Sequence, residues 1–238
     1  MFEIPLYLYQ GAMPPPPGQL YDYVLARQGL IKRVSNRLAD AELLLAPLPS
    51  DLHLPGLKLA RYPLAEPRLK VPLIPGHLLR QALEIARQDL SREAMFQIVY
   101  NDASGYRLVQ PRQHREGVWV RFTTSPQPDD LLVLELHSHH TMAAFFSDQD
   151  DRDEQGGRFY AVMGRLGQPQ PHLALRLGLY GHWLPLVPTA LFTDIRPFGP
   201  PDAAGSGDEW LTPAPYAETD DAVSGSFLSR FLPRRWTT

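Results

Sequence analysis

The chain has 238 residues, a formal net charge of −3 and no cysteine. This length suffices for one large domain or two small ones, and the slightly negative charge gives no overall basic field that would attract nucleic acid. Without cysteine, disulfides, thiol nucleophiles, iron–sulfur clusters and zinc sites with thiolate ligands are excluded. A metal ion must therefore be held by histidine and carboxylate side chains.

The pattern of apolar residues bears on the compartment. No segment reaches the ~18 consecutive apolar residues that a membrane-spanning helix needs. The N-terminus carries an acidic residue, Glu3, and no basic stretch ahead of its apolar residues, so it lacks the pattern of a signal peptide. We therefore expect a soluble, cytoplasmic protein with no membrane association.

Residues 1–74 form a proline-rich segment in which strands are the main predicted elements. The 25 prolines of the chain are about twice the usual ~5%, and they predict irregular strands and loops over residues 38–74. A hairpin is predicted from strands at 20–26 and 30–34, because Gly29 suits the turn between them. Packing on the rest of the protein and recognition of a partner both remain open as roles for this extension.

The remainder alternates strands with two helices. An apolar stripe near a 3.6-residue period predicts a helix over residues 75–90. A short acidic helix is predicted over residues 147–155, where glycines follow it. Strands are predicted at 94–100, 108–109, 118–123, 131–136, 158–166 and 172–186. From residue 198 the composition is rich in Gly, Pro, Ala, Ser and Asp, which predicts a partly disordered tail.

A histidine cluster follows the apolar run 131–136. Because side chains alternate along a strand, His137 and His139 are expected to point to the same face. Ser147 suits the N-cap of the acidic helix, and Asp150 at its third position can point back toward the histidines. The three residues His137, His139 and Asp150 would supply nitrogen and oxygen ligands and leave a fourth position for water, as in catalytic zinc sites.

Simpler interpretations exist for each part of this pattern. The Ser147-x-x-Asp150 spacing is close to a helix capping box, which needs no chemistry. A His-x-His pair is often an ordinary buried or exposed pair. His140, on the opposite face of a continued strand, is expected to pack or to support the ligands rather than bind a metal itself. The full combination, however, is expected by chance in only about one chain in a thousand, which favours the metal site.

The sequence His137-Ser138-His139, followed after seven residues by Ser147-x-x-Asp150, resembles the motif of the JAMM (JAB/MPN+) zinc metallopeptidases. The resemblance covers roughly residues 75–195. Within the family, HSHHTMAAFFSDQDDRDE and the strand after it are similar to the prokaryotic JAB proteins of the PRTRC cassette, in particular its protein A. The chain departs from the family pattern at His140, where many members have proline, and at AMFQIVY, where a Gly-Leu-Leu-Gly-like sequence is usual.

This resemblance implies a fold and a domain organisation. The fold class is α/β (α+β), with an MPN/JAB-like mixed, curved β-sheet flanked by helices and an N-terminal β-rich extension. The implied domains are the extension at 1–74, a metallopeptidase domain at 75–197 and the tail at 198–238.

The resemblance also implies a mechanism. One zinc ion per chain would be bound by the two histidines and Asp150. Glu93, which precedes the strand after the first helix, would be the general base, with Glu135 as a rival because it lies two residues before His137. The Ser147 hydroxyl would donate a hydrogen bond to the oxyanion.

The implied substrate is an amide or isopeptide bond at the C-terminal tail of a ubiquitin-like protein. A ThiF-related activating-enzyme-like protein from the same cassette is an expected partner. The alternative is a non-catalytic MPN-type scaffold, although such scaffolds have usually lost the histidine and aspartate ligands. Nucleic-acid binding is not expected, since the basic residues near the C-terminus are few.

Overall fold

The computed structural model describes residues 3–18, 20–49, 52, 55–116, 119–123 and 129–200, with the backbone alone for 112–116 and 119–123. The predicted tail therefore lies outside the described residues from position 201 onward.

The N-terminal part forms a five-stranded sheet. Its strands, in spatial order, are β1 (Leu6–Leu8), β2 (Tyr21–Ala26), β3 (Gly29–Ser35), β4 (Ala39–Pro47) and β5 (Arg68–Leu69). The first pair is parallel and the others are antiparallel. The predicted hairpin is confirmed as β2 and β3.

The prediction of irregular structure over residues 38–74 is wrong for β4. Its proline lies at the end of the strand, where Pro47 pairs with Gly29, and so breaks no pairing within it. Ala39 and Ala41 alternate toward the core, at 1% and 3% exposure. Small residues at these inward positions produce only a weak hydrophobic alternation, which is why the pattern was missed.

The second part combines two helices with the remaining strands. The elements are α1 (Gly76–Arg87), β6 (Met95–Asn101), β7 (Gly105–Val109), β8 (Arg112–Glu116), β9 (Trp119–Thr123), β10 (Leu131–Ser138), α2 (Asp148–Asp153), β11 (Phe159–Gly164), β12 (His172–Gly178) and β13 (Trp183–Leu186), followed by a 3-10 turn at Pro188–Ala190.

Six of these strands form one mixed sheet, in the order β13-β12-β11-β10-β6-β7, while β8 and β9 form a separate hairpin. Only the pairing of β10 with β11 is parallel. The predicted mixed α+β class, with two mixed sheets and few helices, is confirmed.

Several predicted elements differ from the observed ones in their bounds, and one of them is divided. The strand predicted over 172–186 is two strands, because Tyr180 and Gly181 adopt positive φ angles of 54° and 88° and turn the chain back. The helix predicted over 75–90 ends at Arg87.

One apolar core joins the two parts. Leu79 and Leu83 of α1 pack with Phe96 and Leu136 of the mixed sheet, and Val34 of the N-terminal sheet belongs to the same cluster. The extension therefore packs on the rest of the protein, while the predicted domain boundaries stay predictions. The first residues of the predicted tail also pack, since Phe198 is buried and Gly199 forms a bridge with His172.

The central strand β10 presents two different faces. Leu134 and Leu136 are fully buried in the core. Glu135 and His137 alternate to the other face, which α2 and the loop after β10 approach. This alternation places the polar residues of β10 together on one side of the sheet.

The helices also bear on membrane insertion. Among the residues that the structure describes, neither helix has the length and apolar character needed to cross a membrane.

Candidate metal centre

The two histidines lie together at the end of β10. His137 is 7% exposed and His139 is 5% exposed. Their Nε2 atoms are 3.2 Å apart. His139 follows the last residue of β10, and its N–H donates to the Met163 carbonyl at 2.8 Å, which extends the pairing with β11 by one residue. The two imidazoles, separated by one residue, thus turn their ring nitrogens to a common point, as the alternation of side chains predicts.

The start of α2 brings Asp150 to the same point. Its Oδ1 is 3.5 Å from His137 Nε2. Its Oδ2 accepts hydrogen bonds from the Ser147 backbone N–H at 2.6 Å and from the Ser147 hydroxyl at 2.7 Å. Ser147 Oγ in turn accepts from the Asp150 N–H at 3.2 Å, which completes a capping box.

The capping and metal interpretations of Asp150 are therefore compatible. One carboxylate oxygen closes the helix cap, and the other faces the histidines. The cap also holds the carboxylate in one orientation, which favours coordination because less conformational entropy is lost when a ligand binds.

His137, His139 and Asp150 form a group that could hold a metal ion, because one ligand atom from each lies within 4.8 Å of the others. Among the described residues, no other such group of three is found. Two imidazoles and a carboxylate suit zinc and similar divalent ions. The assignment of these residues as ligands stays a prediction.

The loop after β10 orients the His139 ring. Its Nδ1 lies 3.3 Å from the carbonyl oxygen of Ala143. A proton on Nδ1 donates to this carbonyl and leaves the Nε2 lone pair free for a metal, as partners of metal-bound histidines commonly do. Gly164 allows the loop to lie this close, since a β-carbon there would be 2.2 Å from the Ala144 nitrogen.

Burial lowers the pKa of His137 to about 4, with His139 and Arg176 acting in the same direction and Asp150 opposing them. The ring is therefore neutral near pH 7, which is the form that binds a metal.

Glu93 lies just before β6 and is exposed. The β6–β10 ladder pairs Met95 with His137. Ser138 extends it by one residue, because its N–H donates to the Ala94 carbonyl at 3.0 Å and its Oγ accepts the Ala94 N–H at 2.9 Å. Glu93 precedes Ala94 in the sequence, and its role as the base stays a prediction.

Glu135, the rival for the base, lies on the histidine face but is already paired. Its carboxylate accepts hydrogen bonds from Gln97 Nε2 and from Arg158 Nη1, both at 3.3 Å.

Two expectations are modified by the local geometry. The Ser147 hydroxyl donates to Asp150, so donation to an oxyanion would require the hydroxyl to turn away from it; that role stays a prediction. Alternation does not place His140, because β10 ends at Ser138 and His140 has a positive φ of 45°. His140 does not belong to the group that could hold a metal ion.

Sequence reasoning missed Arg176 on β12. It is only 6% exposed. It forms ion pairs with Asp151, which lies within α2, and with Glu154, which directly follows this helix. A lone arginine inside the apolar strand HLALRLG was the available signal, since a buried charge requires partners.

Comparison with known proteins bears on the same region. Residues 75–177 match the family model for prokaryotic homologs of the JAB domain. No curated protein matches the sequence. The matched segment contains α1, the histidine pair and Asp150, and the match supports a place for it in the JAB/MPN family, whose members are often zinc-dependent hydrolases. The mixed α+β architecture agrees with a JAB/MPN-like fold.

Proposed function

We propose that the protein is a JAMM-type zinc metallopeptidase that hydrolyses an amide or isopeptide bond at the C-terminal tail of a ubiquitin-like protein. The observation that carries the proposal is the convergence of His137, His139 and Asp150 within 4.8 Å of one another. These residues come from a strand end and a helix start within the segment that matches the JAB model.

The donor set fits one zinc ion. His137 is held neutral by burial, His139 is oriented by the Ala143 carbonyl, and the cap leaves one oxygen of Asp150 available. When bound at such a site, zinc polarises a carbonyl oxygen and lowers the pKa of water to about 7.

The proton transfer is assigned to Glu93. Its exposed carboxylate can take a proton from water and pass it to the leaving amine, as base and then acid. Glu135 is the second candidate, but Arg158 and Gln97 already hold its carboxylate. Ser147 is assigned to stabilise the oxyanion by donating a hydrogen bond. Its hydroxyl would have to adopt a rotamer that no longer donates to Asp150.

The proposed substrate, cassette and compartment rest on the family resemblance and not on the geometry of the site. The resemblance to the PRTRC-type JAB proteins is the basis for proposing a ThiF-related partner and a cytoplasmic location. The alternative, a non-catalytic MPN scaffold, is disfavoured because a scaffold has no need for three converging metal donors.

Zinc stoichiometry and cleavage of a ubiquitin-like protein fused through its C-terminal tail test the proposal together. The wild type is expected to bind one zinc and to cleave the fusion, and His139→Ala to lose both. Zinc binding without cleavage of any ubiquitin-like fusion would support the scaffold. Full zinc content in His139→Ala would refute the site.

A second pair of variants distinguishes the two candidate bases. Glu93→Gln is expected to retain zinc and lose at least a hundredfold in kcat, whereas Glu135→Gln is expected to retain most of the activity. The reverse result would assign the base to Glu135.

A further inference from the structure

The helix that carries Asp150 is too short and too exposed to be stable in its position without contacts to the rest of the protein. It has six residues and none of them is buried, and isolated helices shorter than about 12 residues are marginal in water. No apolar face attaches α2 to the sheet. A metal ligand on this helix nevertheless has to be held to a fraction of an ångström.

Arg176 supplies the missing attachment from β12. Its Nη1 donates to Asp151 Oδ1 at 2.5 Å, and its Nε and Nη2 both donate to Glu154 Oε2, at 2.9 and 2.5 Å. These two carboxylates lie one and four residues after Asp150. Charge-assisted bonds of this kind are among the strong and directional ones.

Two aromatic rings enclose the same guanidinium. Its carbon lies 3.8 Å from the centre of the Phe146 ring and 4.7 Å from that of Trp183, within the range of cation–π attraction. Phe146 directly precedes the capping Ser147. The Trp183 indole N–H also donates to the Glu154 carbonyl at 3.0 Å.

The contacts of Arg176 thus lie on both sides of Asp150 along the chain. Phe146 is held before the ligand, and Asp151 and Glu154 are held after it. We propose that Arg176 is a positioning residue for the metal site, holding α2 against the sheet so that Asp150 reaches His137. This inference rests on the metal site of the proposed function.

Electrostatics and positioning predict opposite effects for the loss of this arginine. The positive charge of Arg176 acts electrostatically on the site, since it contributes to lowering the pKa of His137. Removing the charge alone would therefore strengthen the binding of a cation. If Arg176 acts by position, its removal weakens binding instead.

The experiment measures Zn²⁺ affinity by competition titration in the full-length protein. Arg176→Met and Arg176→Lys are both expected to weaken Zn²⁺ binding tenfold or more. The lysine variant keeps the positive charge but loses the planar guanidinium, which both donates to the two carboxylates and stacks on the aromatic rings. Any loss of zinc affinity in this variant is therefore due to geometry. The matched control is Arg152→Met, which removes a charge from the exposed side of α2 and is expected to bind zinc as tightly as the wild type or tighter.

A second readout needs no metal. Hydrogen exchange of the Trp183 indole N–H, assigned with Trp183→Phe, reports the bond to Glu154 in the metal-free protein. This exchange is expected to be at least tenfold faster in both Arg176 variants and unchanged in Arg152→Met. If Arg176→Met does not fold, Arg176→Lys provides the same two measurements.

The outcomes separate this inference from the proposed function. Zinc binding in the Arg176 variants that equals or exceeds the wild type would overturn the positioning role, as would an unchanged exchange rate at Trp183. A wild type that binds no zinc would instead overturn the proposed function, and the exchange measurement would then decide whether Arg176 holds α2.

Discussion

The close approach between Gly164 and the loop after His139 gives a quantitative prediction. A methyl group at Gly164 would lie 2.2 Å from the Ala144 nitrogen and 2.4 Å from the Ala143 carbonyl carbon. Normal contacts are about 3.5 Å, so the loop would have to move by about 1 Å. Both atoms belong to the backbone, and no rotamer change can relieve the overlap.

Gly164→Ala is therefore expected to affect both stability and the site. Overpacking of this kind costs about 1–3 kcal/mol, which lowers the melting temperature of a domain this size by roughly 2–12 °C. The same displacement moves the Ala143 carbonyl from its place 3.3 Å from His139 Nδ1. Loss of such a partner is expected to weaken zinc binding about 10- to 100-fold.

The chain contains a matched control at Gly167. A methyl group there meets only Leu90 Cδ1, at 4.0 Å, and neither glycine has a positive φ. Gly167→Ala should melt and bind zinc like the wild type, by differential scanning fluorimetry and competition titration. If Gly164→Ala behaves in the same way as Gly167→Ala in both assays, the steric argument is wrong.

Three further predictions concern buried polar groups. His137 has a pKa of about 4 in the folded protein against ~6.5 unfolded, so the unfolded chain takes up its proton first as the pH falls. The metal-free protein should therefore lose up to about 3 kcal/mol between pH 6.5 and 4, measured by urea unfolding. Ser138→Ala leaves the partly buried Ala94 N–H without its side-chain acceptor and should cost about 1 kcal/mol in the same assay. Arg33→Met breaks the buried pair with Asp22 and should cost about 3–5 kcal/mol.

Each of these has its own control. His137→Gln should flatten the loss of stability below pH 6.5, and an undiminished slope would assign it to other groups. Ser138→Thr retains the hydroxyl and should restore most of the stability lost in Ser138→Ala. Arg68→Met removes an arginine that is 74% exposed and should cost less than about 1 kcal/mol; a loss equal to that of Arg33→Met would contradict the role of burial.

Helices and strands whose formation depends on residues close together in the sequence could be predicted. The hairpin of β2 and β3, the helix α1 and the buried strand β10 follow from periodicity and turn residues, and the structure contains all three. The strand β4 was missed because small alanines stand at its inward positions. Its antiparallel pairing with the adjacent strand β3 compensates for this weak pattern, since strand stability depends on cross-strand packing more than on intrinsic preference.

The candidate site likewise has features that the sequence predicts and features that depend on the tertiary structure. The sequence by itself predicted the three candidate ligands, because the alternation of His137 and His139 and the cap spacing to Asp150 are local properties of one strand end and one helix start. The tertiary structure decided that both uses of Asp150 coexist, that Glu135 is paired with Arg158, and which residue holds α2 in place.

Arg176 illustrates the physical reason for this division. Its carboxylate partners lie 25 and 22 residues away in the chain, and they meet it only because β12 lies beside β11 in the sheet. The three candidate ligands lie between residues 137 and 150, within one strand end, one loop and one helix start, so their spacing can be read directly from the sequence. The support of those ligands depends on sheet order and side-chain packing, and these exist only once the whole chain has folded.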